Sequence, residues 1–159
     1  TLPVRGSDKI PGVQGMKRES LTIPQSAFWL GFGGLIPFLA AAAINLIPGA
    51  PLHDLALQAL LSYGAVILSF LGGVRWGLAI ANSDFADLLG PLSISVVPAL
   101  LGWFALLLPS SLGLTVLALS FSVMLVADRQ LLSAPRWYRS LRLPLSVGAI
   151  IALLLGLFS

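Results

Sequence analysis

Five apolar runs, each roughly 18 residues or longer, follow one another in this chain, separated by short links rich in Pro, Gly and Ser. A segment of about 20 predominantly apolar residues matches the roughly 30 Å hydrocarbon core of a bilayer. Inside that core each backbone N–H and C=O must be satisfied by the structure itself, which helices and closed barrels alone achieve. Barrel strands alternate apolar and polar residues over about 10 positions; these runs are continuously apolar, so helices are expected. Composition points the same way. With 57% hydrophobic and 9% charged residues, and a mean hydropathy of +0.97, there are too few charges to coat a soluble globule. A soluble enzyme, a disordered tail and a nucleic-acid-binding domain are excluded. The class is an all-α integral membrane protein with one domain.

Residues 1–23 are polar and carry Pro3, Gly6, Pro11, Gly12 and Gly15. They read as a flexible tail without an apolar run of signal-peptide length. Within it, Met16-Lys17-Arg18 has the look of a translation start. The domain occupies residues 24–159, with spans expected at about 26–47, 54–81, 90–108, 112–132 and 141–158. Pro48-Gly49-Ala50-Pro51 ends the first span, and Asp54 is expected to cap the second. The second is about 40 Å long at roughly 1.5 Å per residue and must tilt or project into water. Pro109-Ser110-Ser111 makes the third and fourth antiparallel neighbours.

Charge placement predicts orientation. Arg5, Lys9, Lys17 and Arg18 lie in the tail; Arg129, Arg136, Arg139 and Arg142 lie in or beside the fourth link. With five spans these positions share one side, and basic loops mark the cytoplasmic face, or the matrix face in a mitochondrion. The N-terminus is expected inside and the C-terminus outside.

The sequence has no cysteine and a single histidine, His53. Thiol chemistry, a thiolate metal site and a bis-histidine haem site are therefore excluded within one chain. No phosphate loop, dinucleotide fingerprint, zinc motif or serine elbow is present. No catalytic, cofactor-binding or metal-binding residue is assigned, and no cofactor is expected.

Three features of the spans and their flanks remain as candidates. Ala65, Ser69, Gly73, Gly77 and Ala81 recur every four residues, a row of small side chains that lets another helix approach closely. Arg75 lies about 200° around the helix from Gly73. A charge within a span is a candidate site by default. Asp128 and Arg129, near the inner end of the fourth span, are its expected partners in a structural charge cluster, with Asp84 and Asp87 competing. Finally, Arg136, Trp137, Tyr138, Arg139 and Arg142 interleave guanidinium and aromatic groups, which suits an interfacial segment contacting anionic lipid.

The runs Ala27-Phe28-Trp29-Leu30-Gly31-Phe32-Gly33-Gly34-Leu35-Ile36-Pro37-Phe38 and Tyr63-Gly64-Ala65-Val66-Ile67-Leu68-Ser69-Phe70-Leu71-Gly72-Gly73-Val74-Arg75-Trp76-Gly77, with Asp128-Arg129, are distinctive. Over roughly residues 24–159 the chain resembles an uncharacterised family of small proteobacterial membrane proteins. Its animal relatives are transmembrane-protein-sixty-nine-like mitochondrial proteins. The resemblance implies a multi-pass inner-membrane protein, bacterial or mitochondrial. It brings no activity and no catalytic residues.

The function expected from these features is non-enzymatic: an accessory or assembly subunit packing against a larger, energy-converting membrane complex. Its partners would be membrane lipids and other membrane proteins or further copies of itself, not nucleic acid. The alternative is an oligomeric carrier of a small solute, ion or lipid, with Arg75 contacting an anion. A transport path needs polar residues through the membrane depth. Away from the inner cluster the spans offer only Asn45, Gln58 and scattered Ser or Thr.

Overall fold

The structure, a computed structural model, describes residues 23–82, 88–129 and 136–158. Those residues hold five helices: α1 (Gln25–Asn45), α2 (His53–Asn82), α3 (Leu89–Leu106), α4 (Ser110–Arg129) and α5 (Arg136–Leu155). All five are long and apolar enough to cross a membrane, and among the described residues there is no strand. The tail before residue 23, and Asp84 and Asp87, lie outside the described residues.

The helices form where apolar runs must satisfy their own backbone, and the links break them. Gly49 adopts φ +71° between α1 and α2, a left-handed conformation that suits glycine. Helix α2 begins at His53, one residue earlier than expected. Asp54 therefore sits within the first turn, where its carboxylate faces the positive end of the helix dipole. The larger shift is in α5. It starts at Arg136, not near residue 141, because no helix breaker follows Pro135 before Pro144. Arg136–Ser140 is thus helical, and Pro144 lies inside the helix.

Helix α2 is the hub, in contact with α1, α3, α4 and α5, and α5 also packs on α1 and α4. The core gathers Phe38, Leu60, Leu68, Leu114, Leu117, Phe121 and Leu153, each at most 2% exposed. Phe38 meets Tyr63 and Phe121 edge-on, at centroid distances of 5.0 and 6.0 Å. Tyr63 Oη donates to the Gly34 carbonyl at 2.8 Å, fastening α2 to α1. Lipid tails are as apolar as leucine, so close fit rather than water exclusion holds such helices together. The contact is most extensive between α2 and α3, and close there. A Cβ on Gly72 would lie 2.5 Å from the Ser95 carbonyl oxygen, and one on Gly102 would lie 3.0 Å from that of Ala65.

Candidate functional site

The row of small residues on α2 is divided by this packing. Ala65 is buried against Gly102. Ser69 is half-buried and its hydroxyl donates to the Ala65 carbonyl. Gly73, Gly77 and Ala81 are exposed, and a Cβ built on either glycine would meet nothing within 4 Å. The expectation of one continuous packing face is thus corrected within the bundle. The reason is helical pitch: steps of four residues rotate 40° further round each time at 3.6 residues per turn. The core-facing line instead runs through Leu61, Ala65, Leu68 and Gly72.

Arg75, near the C-terminal end of α2, reaches Asp128 on α4: its Nη1 donates to Oδ1 at 3.1 Å. The second partner of that carboxylate comes from α5. Arg142 donates from Nε at 2.9 Å and from Nη2 at 2.8 Å, both to Oδ2. The Asp128 side chain is 4% exposed, against 8% for Arg142 and 17% for Arg75. One carboxylate therefore ties three helices at one end of the bundle, including α2 and α5, which touch little otherwise. Arg129, expected in this cluster, is exposed at the end of α4. It is about 100° round the helix from Asp128, which turns it off the buried face. Arg142, expected at the lipid interface, is corrected to a buried ion-pair residue: the earlier start of α5 sets it in the second turn rather than at the helix end, and its spacing puts it on the inward face with Ala149 and Leu153.

The rest of the interfacial set lies in the first turns of α5. Arg136 opens the helix, Arg139 is half-buried, and Trp137 and Tyr138 are half-buried with their rings edge to face at 6.2 Å.

Beside the charge cluster lies a cavity of about 320 Å³, lined by α1, α2, α4 and α5. Arg142, Tyr138 and Trp137 line one end, and Phe38, Phe121 and Ala149 lie deeper. Ser146, one turn beyond Arg142, also lines it. It is 1% exposed and its Oγ has no hydrogen-bond partner. The cavity and Ser146 were not anticipated. The available signal was the spacing of Tyr138, Arg142, Ser146, Ala149 and Leu153, which share one face only if the helix starts before residue 138.

Residues 23–158 match the family described as protein of unknown function (DUF3429). The chain belongs to that family. It is 39% identical over 138 residues to Transmembrane protein 69 of Xenopus tropicalis, covering 82% of this chain and 53% of the frog protein. It is 30% identical over 150 residues to Transmembrane protein 69 of Mus musculus, covering 89% of this chain and 60% of the mouse protein. The chain thus spans little more than half the length of these relatives. No solved structure matches it. Family membership and five apolar helices agree with the transmembrane-protein-sixty-nine-like resemblance and with a multi-pass membrane protein.

Proposed function

We propose that the chain is a non-enzymatic inner-membrane protein that docks against a larger membrane complex as an accessory or assembly subunit. Its N-terminus lies inside and its C-terminus outside. The observation that carries docking is the open face of α2 at Gly73 and Gly77. Both glycines are exposed with empty space where a side chain would stand, although each costs about 1 kcal/mol of helix propensity relative to Ala. Small residues on a lipid-facing helix surface admit a second backbone at close range. Burial supports the same reading. Within their spans, 17% of α1 and 22% of α3 are buried inside the bundle, so much of both helices is available to lipid or to a partner. The orientation rests on the eight basic residues of the tail, the end of α4 and the first two turns of α5.

The Arg75 alternative, an anion-contacting carrier, draws less support. Arg75 faces Asp128, and the cavity is lined by Arg142 instead.

The test is extraction in mild detergent of the wild-type chain and of the Gly73→Leu/Gly77→Leu double variant. A larger membrane protein should co-purify stoichiometrically with wild type and be lost from the variant. The variant itself should fold, because a Cβ at either position meets no atom of the described residues within 4 Å. A wild-type chain extracted as a lone monomer would overturn the proposal.

A further inference from the structure

The cavity beside the charge cluster has the depth, and the polar groups toward one end, to take one acyl chain and the polar neck of a lipid. From Tyr138 to Ala149 along α5 is eleven residues, about 16 Å of helix rise. On α1, Ala27 to Phe38 covers the same rise beside it. That is about half the roughly 30 Å core, the depth of a single leaflet. Its volume of about 320 Å³ falls within the size range of small-molecule sites. At the rim Leu30 and Phe70 are 77% and 64% exposed, so the cavity communicates with the surrounding medium.

Polar groups are graded along this depth. Trp137 and Tyr138 stand at the end of the span, where amphipathic rings sit at headgroup level. Arg142 comes one turn deeper. Two guanidiniums share one carboxylate among the described residues, leaving one formal positive charge in the cluster. Arg142 carries five N–H donors, and its two bonds to Asp128 use Nε and Nη2. Ser146 follows a further turn down, about 6 Å of rise, with its hydroxyl buried and unpartnered. A buried hydroxyl left without a partner is costly. Beyond it the walls are Phe38, Phe121 and Ala149.

We propose that this cavity binds an anionic glycerophospholipid from the leaflet on the basic side. Its phosphate meets Arg142 and Tyr138, and an ester carbonyl, which lies just below the phosphate in such lipids, accepts from Ser146 Oγ. One acyl chain fills the deeper part. An apolar filler alone would leave Ser146 unsatisfied and the charge excess unanswered. This goes beyond the docking proposal and is independent of any protein partner.

The test uses the full chain in detergent, exchanged into mixed micelles of phosphatidylglycerol or phosphatidylcholine with matched acyl chains, and bound lipid counted by native mass spectrometry. One phosphatidylglycerol should be retained in preference to phosphatidylcholine. Ser146→Ala, which removes the hydroxyl and adds no atom, should weaken retention about fivefold, the worth of one hydrogen bond. Ala27→Trp should narrow the mouth and lower retention of phosphatidylglycerol, whereas Leu107→Trp, an exposed position that does not line the cavity, should not. Glycerol 3-phosphate, a head without tails, should not displace the lipid. Equal retention of the two lipids, or retention unchanged by Ser146→Ala and Ala27→Trp, would overturn the proposal. So would displacement by glycerol 3-phosphate, or occupancy by a neutral ring-bearing lipid.

Discussion

Asp128→Asn isolates the contribution of the shared carboxylate with little change of shape. In the wild type, three N–H donors from two arginines converge on it at 2.8–3.1 Å. The substitution leaves those guanidiniums facing each other across a neutral amide. Removing one member of a buried ion pair costs about 3–5 kcal/mol, because the remaining charge stays buried and uncompensated. The Asn carbonyl still accepts one bond and Arg75 is 17% exposed, so the lower end, about 3 kcal/mol, is expected. The assay is reversible unfolding in mixed micelles, followed by circular dichroism as denaturing detergent is added. Arg142→Met should cost more than Arg75→Met, since Arg142 makes two of the three bonds and is the more buried. The triple variant Arg75→Met/Asp128→Leu/Arg142→Met should recover most of the loss, because apolar replacement removes the desolvation penalty along with the pair. A loss below about 0.5 kcal/mol for Asp128→Asn would place the cluster among solvated surface pairs and refute the three-helix tie.

Other substitutions probe the packing. Gly72→Ala should destabilise by about 1–3 kcal/mol, the usual cost of overpacking, because the new Cβ would sit 2.5 Å from the Ser95 carbonyl oxygen; Gly73→Ala, one residue on, should be neutral or slightly stabilising in the same unfolding assay. Tyr63→Phe should cost about 1 kcal/mol by removing the bond to Gly34. Asn45 is 3% exposed with neither amide atom partnered, so Asn45→Leu should raise stability by about 1–3 kcal/mol, read as a higher denaturing-detergent midpoint.

Much of the fold is legible in the apolar runs, because each is long enough to span and backbone satisfaction leaves helices as the outcome. The five helices begin and end near their expected positions except at α5. There the Arg-Trp-Tyr-Arg run suits both an interfacial segment and a helix start, and composition does not separate the two. That shift bears on Arg142: at the first residues of a helix it would sit at the interface, whereas in the second turn it lies within the bundle on the inward face. The Arg75–Asp128 pair could be anticipated because both residues lie toward the C-terminal ends of α2 and α4, which run in the same direction with one span between them in sequence. The second partner of Asp128 depended on the rotation of α5. The row through Gly73 and Gly77 has the same lesson in reverse. Spacing shows that small residues align, while only the three-dimensional arrangement shows which of them the bundle itself uses.

The docking proposal is tested most directly by a photo-crosslinking residue placed at Gly77 in the otherwise native chain, irradiated in the intact membrane, with the same residue at Leu100 as a control. Leu100 is 58% exposed on α3. Crosslinking from position 77 should give one discrete adduct, heavier than a homodimer, with a single other membrane protein, while position 100 gives lipid adducts. Lipid adducts alone at position 77, or a homodimer as its sole protein product, would contradict a role as subunit of a larger complex.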